Sequence, residues 1–241
     1  MSKHEFLCVN NNKIAYRYYK RREKTVIFIH GLKSDMNGKK SVYFNKYCKE
    51  KNYSYLCFDF RGHGKSSGNF TDYGIGDWYE DLNKLIKFLK ISNPILIGSS
   101  MGGWVAMLFS LKNPNKIKKL IGIAPAPDFT VDLLWKELTD KNKKCIKSNK
   151  IVRKKVSDDF YYEYSLNLFS NSSKYLIRKI NKIFKGETIF FHGGNDHTIP
   201  YNYNDKFLKK KNFPLLLNIT IKGADHSMSD NYSLKTITKF I

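Results

Sequence analysis

The sequence predicts an α/β protein: a mostly parallel central sheet with helices on both faces and a small helical cap. Three observations predict it. Six short apolar runs recur along the chain, each with the character of a strand buried on both faces. Stretches with helical periodicity separate most of them, as crossovers between parallel strands require. The 241 residues, 41% hydrophobic and 15% aromatic, are enough to bury one substantial core.

The elements follow in order. Phe6–Val9 and Ile14–Tyr19 flank Asn10-Asn11-Asn12 and read as an antiparallel hairpin. The apolar runs are Thr25–His30, Tyr55–Phe60, Pro94–Gly98, Leu120–Ala124, Thr188–His192 and Leu215–Ile221. Helical spacing marks Lys39–Lys51, Gly76–Lys90, Met101–Lys112, Tyr203–Lys211 and Ser227–Ile241. The segment 128–185 contains no Pro and no β-like run. Val131, Leu134, Trp135 and Leu138, then Tyr161, Tyr164 and Leu168, are spaced as on helices, so it is expected to be a helical cap over the C-terminal edge of the sheet. The whole is expected to be one domain over 1–241, without repeats or linkers.

Charge invites other readings. The 43 basic and 21 acidic residues give +22, but only 6 of the basic residues are Arg, and Asn occurs 22 times. Specific readers of phosphates and bases rely on bidentate Arg, so this skew argues for solvated lysines and against specific nucleic-acid binding. A weak association with anionic surfaces at low salt is the remaining expectation. Cys8, Cys48, Cys57 and Cys145 are scattered, which argues against a disulfide scaffold or a cysteine metal site, and no metal or organic cofactor is expected. The N-terminus carries no apolar signal core and no Arg-rich amphipathic stretch, so a cytoplasmic location is expected. Ile91–Leu111 carries no formal charge over about the length of a membrane span, but Pro94 and the Gly98–Gly103 turn break it into two buried elements.

The chemistry centres on Gly98-Ser99-Ser100-Met101-Gly102-Gly103, between an apolar run and a helix. A nucleophile on a sharp strand-to-helix turn needs small neighbours, and Ser100 holds the central place of G-x-S-x-G. A serine needs a base, itself oriented by an acid, and on this architecture the order is Ser, acid, His. Downstream stand His192, His197 and His226; only His226 lies in a loop after the last strand, where it can reach back over Ser100. The acid is read as Asp196, in the Gly-rich turn after Thr188–His192, with Asp128 and Asp225 as rivals. The backbone N–H groups of Leu32 and Met101 are the expected oxyanion donors. His30 reads as a scaffold, and Asp59–Ser66 as a turn pinned by an internal ion pair. Trp104, Leu134, Trp135, Phe160 and Phe169 are candidate acyl-pocket residues.

On these residues the chain resembles α/β-hydrolases. The resemblance runs from His30-Gly31 through D-x-R-G-x-G-x-S at Asp59–Ser66 and the Ser100 turn to Asp196 and His226. Gly31–Lys39, Gly98–Trp104 and Ala224–Met228 further resemble the α/β-hydrolase-domain depalmitoylases, related to mitochondrial acyl-protein thioesterase and acyl-glucuronide esterase. This covers nearly the whole chain and is weakest over 128–185. It implies hydrolysis of S-acyl or O-acyl esters by Ser100, Asp196 and His226, on acyl ester or acylated-protein substrates. A serine aminopeptidase or general carboxylesterase of the same fold, and a ligand receptor derived from a hydrolase, are the competing readings.

Overall fold

The computed structural model describes residues 4–9, 11–21, 24–157, 160–200, 202–205 and 212–241. The apolar runs form the sheet expected of them. Its strands are β1 (Glu5–Val9), β2 (Asn12–Tyr19), β3 (Thr25–Ile29), β4 (Ser54–Phe58), β5 (Ile95–Ser99), β6 (Lys119–Ile123) and, after an insertion holding β7 (Val152–Ser157) and β8 (Phe160–Tyr164), β9 (Glu187–Gly193) and β10 (Leu216–Ile221). Eight strands lie in the order β1-β2-β4-β3-β5-β6-β9-β10. The β1–β2 and β2–β4 pairs are antiparallel and the others parallel.

Burial on both faces explains the continuous apolar runs. All five residues of β4 and of β5 are buried. Alternate side chains point to opposite sides of the pleat. Ile27, Ile29, Leu56, Leu96 and Phe190 join one apolar cluster, while Val26, Phe28, Cys57, Ile97 and Phe191 join the other.

The helices divide accordingly. α1 (Lys39–Glu50) contributes Phe44 and Cys48 to one cluster, and α2 (Ile75–Phe88) and α3 (Met101–Lys112) fill the other. Ile75, Trp78, Tyr79, Leu82, Leu85 and Ile86 give α2 its buried stripe, and the Asp77 carboxylate closes its first turn by accepting from the Gly74 amide. α3 is buried from Met101 to Leu111, which explains the long uncharged stretch: it is a core helix. No helix among the described residues is long and apolar enough to cross a membrane.

The segment 128–185 corrects the expectation of an all-helical cap. It opens with a wide helical turn over Thr130–Leu134 and holds α4 (Asp140–Lys147) and α5 (Leu166–Ser172), but β7 and β8 pair between them as an antiparallel hairpin. The true period there is two: Tyr162 and Tyr164 share a face, their rings stacked 6.5 Å apart at 7°. The spacing of Tyr161, Tyr164 and Leu168 imitated a helix because a strand runs directly into one. The last helix, α6 (Asn231–Thr238), is shorter than the expected 227–241, because Asp230 caps it by accepting from the Ser233 amide. Of the expected helix Tyr203–Lys211, residues 206–211 lie outside the described residues.

The turn Asp59–Ser66 carries a second correction. Arg61 pairs with Asp81 of α2, Nε donating to Oδ1 at 2.6 Å, so the ion pair is not internal to the turn. Asp59 is satisfied by backbone amides, Met36 on Oδ1 at 2.6 Å and Lys65 on Oδ2 at 2.7 Å. Asp81 also accepts from the Arg61 amide at 3.0 Å and is fully buried. Asp81→Ala leaves a buried guanidinium unpaired and is expected to destabilise the fold by about 3–5 kcal/mol. Urea unfolding measures this, and pairing it with Arg61→Met should recover part of the loss.

Candidate active site

The chain reverses sharply between β5 and α3, and Ser100 occupies the reversal. Its φ is 52° and its ψ −116°, outside the ordinary wells of a non-glycine residue. Three backbone bonds hold it there: Ser100 N–H donates to Ile123 O at 2.9 Å, and Ser100 O accepts from Gly103 at 2.9 Å and Ala126 at 3.1 Å. A Cβ on Gly102 would stand 2.2 Å from Ile29 O, so the start of α3 can lie against the end of β3 only without a side chain there.

His226 reaches this point from the loop between β10 and α6. Its Nε2 lies 3.1 Å from Ser100 Oγ, and its Nδ1 lies 2.7 Å from Asp196 Oδ2. The carboxylate fixes the proton on Nδ1, which leaves the Nε2 lone pair to accept from the serine hydroxyl. Asp196 sits in the turn after β9 with its side chain inaccessible to solvent. Burial alone would raise its pKa. The hydrogen bonds from His226 and from the Ile199 and Thr198 amides, both 2.8 Å on Oδ1, hold it below the usual carboxylate value. The two loops touch closely: a Cβ on Gly193 would be 2.4 Å from the Ala224 and Asp225 carbonyls, and Asn195 N–H donates to Ala224 O at 2.9 Å.

The rivals for these places are engaged elsewhere. Asp128 accepts from the Ile177 and Arg178 amides at 2.6 and 3.2 Å, within the insertion. Asp225 accepts from the Met228 amide at 2.9 Å, in its own loop. His192 is buried at the end of β9, where burial pushes its pKa down and Nε2 meets the Asn204 amide nitrogen at 3.4 Å. His197 is an exposed residue of the pocket wall. His30 is a buried brace for the loop after β3: Nδ1–H donates to Gly31 O at 2.8 Å, while Nε2 accepts from Phe60 N–H at 3.3 Å.

The Met101 amide opens α3, where the helix leaves its first N–H groups without intrahelical partners and its dipole favours negative charge. The Leu32 amide belongs to the loop that brings Gly31 against Ser100; a Cβ on Gly31 would lie 3.4 Å from that of the serine. Neither amide donates to a group among the described residues.

Ser100 and His226 open into a pocket of about 720 Å³, within the range of small-molecule sites. Its apolar wall comes from the segment after β6, the insertion and the turn after β9: Ala126, Phe129, Leu133, Leu134, Tyr162, Tyr164 and Ile199. Ser34, Asp35, Lys39, Lys40, Ser41, Ser227 and Ser229 supply polar lining. Of the five candidate acyl-pocket residues, Leu134 is in this wall. Trp104 is instead fully buried, donating to Tyr175 O at 3.1 Å, and Trp135 packs edge-on against Phe169 at 4.9 Å, away from the cavity. Trp104 thereby ties α3 to the insertion, while Trp135 and Phe169 pack within the insertion itself. The Phe160 side chain lies outside the described residues.

Tyr162 and Tyr164 escaped the sequence reading because the hairpin did. Lys40 was also missed. Its ammonium donates to Ser227 O at 2.6 Å and Ser229 Oγ at 3.2 Å, tying the His226 loop to α1, and burial pushes its pKa down to about 8. The available signal was two lysines, and no acid, in a helix's first turn, where the dipole disfavours cations.

The comparisons agree with this architecture. The alpha/beta hydrolase fold family matches residues 24–143. The palmitoyl-protein thioesterase ABHD10 of Rattus norvegicus, a mitochondrial protein by its name, is 27% identical over 218 residues, which is 90% of this chain and 73% of that one. Mouse alpha/beta hydrolase domain-containing protein 10 superposes with a TM-score of 0.88 at 24% identity, covering 99% of this chain and 97% of its own. Est1E from Butyrivibrio proteoclasticus, with ferulic acid bound, gives 0.79 at 20% identity, covering 98% and 95%. Sheet order and comparisons together give the chain the alpha/beta-hydrolase fold.

Proposed function

We propose that the protein is a serine hydrolase that cleaves ester and thioester bonds of acyl substrates, with Ser100 as nucleophile, His226 as general base and Asp196 as its orienting acid. The observation that carries this reading is the unbroken line of hydrogen bonds from Asp196 through His226 to Ser100, 2.7 and then 3.1 Å, at a strained reversal facing a pocket. Among relatives, a protein named as a palmitoyl-protein thioesterase aligns over 90% of the chain, which favours acyl thioesters as the substrate class.

In this mechanism Oγ attacks the acyl carbonyl as its proton passes to Nε2. The imidazolium is stabilised by Asp196. The Leu32 and Met101 amides receive the oxyanion, the latter with the dipole of α3 behind it. His226 then returns the proton to the leaving group, and water activated at the same nitrogen releases the acid. A thiol, with a reference pKa of about 8.5, leaves with little help, whereas an alcohol depends on that proton. The acyl chain would lie along Phe129, Leu133, Leu134 and Tyr162.

Ser100→Ala is expected to abolish turnover of a panel of thioesters and oxygen esters with the fold intact, and to abolish labelling by a fluorophosphonate probe. Asp196→Asn should lower kcat by about 10⁴-fold. Wild-type turnover by Ser100→Ala would overturn the assignment. A tryptophan at Leu134 tests the pocket. It should lower kcat/KM for a dodecanoyl thioester by about tenfold or more while sparing an acetyl ester, and equal loss on both would remove Leu134 from the acyl site.

A further inference from the structure

We propose that Lys33 and Glu163 are positioning residues for the oxyanion site: their ion pair ties the loop carrying the Leu32 amide to β8, so the insertion's hairpin fixes the direction in which that amide points. The proposal rests on the reading of Ser100 as nucleophile and Leu32 as oxyanion donor.

Lys33 follows the donor residue directly, and its backbone is strained. Ser34 N–H donates to Gly31 O at 3.2 Å, closing a turn over Leu32 and Lys33, and Lys33 has φ +55°, a region that favours glycine. A non-glycine residue stays there only when its surroundings over-determine it. Its side chain supplies that restraint. Nζ donates to Glu163 Oε2 at 3.1 Å and stands 4.1 Å above the Phe70 ring centroid. The two charged side chains are only 20% and 25% exposed, so water screens the pair weakly. Phe70 is itself stacked on the buried Trp78 and gives the ammonium a rigid floor.

Glu163 is equally constrained. Its other oxygen accepts from Arg153 Nε at 3.3 Å, and Arg153 faces it directly across the hairpin. The bond from Lys33 and the charges of both cations hold the Glu163 carboxyl below its ordinary pKa, so it stays ionised through the neutral range. Strand alternation puts Glu163 on the opposite face from Tyr162 and Tyr164, which line the pocket. One strand therefore bears substrate-facing side chains on one side and the restraint on the oxyanion turn on the other.

The test uses the full chain with Glu163→Gln and Lys33→Gly. Each variant should lose about 10- to 100-fold in kcat, with KM for a short soluble ester held within about threefold. Affinity for an aryl boronic acid, whose tetrahedral serine adduct places an oxygen at the oxyanion site, should fall in parallel with kcat/KM. Lys33→Gly separates positioning from structure: glycine relieves the strained φ, so its thermal midpoint should not drop although its kcat does. The double variant should lose no more than the worse single one. Wild-type kcat in either single variant, or a fall in kcat without loss of boronate affinity, would overturn the proposal. Turnover by Ser100→Ala would instead overturn the nucleophile assignment on which it rests.

Discussion

The structure depends on one backbone reversal. Holding a serine at φ 52° costs on the order of 1–3 kcal/mol, and the fold sustains it by engaging both backbone groups of Ser100 with three hydrogen bonds from β6, α3 and the segment after β6. The strain has a geometric return. An unstrained strand-to-helix turn would direct the side chain along the sheet or into α3, whereas this one projects it from the C-terminal edge. In an open parallel sheet that edge is where successive loops converge. The loops after β3, β9 and β10 bring Leu32, Asp196 and His226 there without any of those residues being neighbours in sequence.

What the sequence disclosed follows the same physics. Strands buried on both faces are conspicuous, because a run such as Ile95–Ser99 has no solvent side to dilute it, and short crossovers leave little choice of topology. The reversal was legible because so sharp a strand-to-helix turn needs glycine where backbones nearly touch, and Gly98 and Gly102 stand at those contacts. The placement of Asp196 and His226 beside Ser100 was legible by position, each in the loop after its strand. The insertion was not. Its stability comes from tertiary contacts such as Trp135 on Phe169, and a short strand leading into a helix gives Tyr161, Tyr164 and Leu168 a spacing that either period can produce. Arg61 misled for a related reason: its partner Asp81 lies on α2, and sequence proximity to Asp59 says nothing of that.

The groups around Ser100 are held from different sides and by different forces. His30 braces the turn after β3 from within the core, using both ring nitrogens on backbone groups. Lys40 ties the His226 loop to α1 from the surface side. Asp196 is fixed by amides of its own turn, so its orientation does not depend on the histidine it faces. Such separate support suits a site in which a misplacement of about 1 Å costs up to 100-fold in rate.

The charge of the chain takes on a different meaning once those ties are counted. The segment 131–185 carries much of the basic excess, which suggests a surface for anionic partners. In the fold, Lys154 meets Glu137, Lys143 meets Asp140, Arg178 meets Asp132, and Arg153 and Lys33 share Glu163. Most of these pairs are exposed and contribute about 0–1 kcal/mol each. The Lys33–Glu163 pair differs because it is largely shielded and because it joins the insertion to the turn that carries Leu32. Since Tyr162 and Tyr164 flank Glu163 on the pocket side, a chain lying against those rings presses on the strand that holds the turn. One short hairpin therefore bears both pocket-lining rings and the ion pair that reaches the turn after β3, so changes in the insertion that reshape the pocket wall also act on that turn.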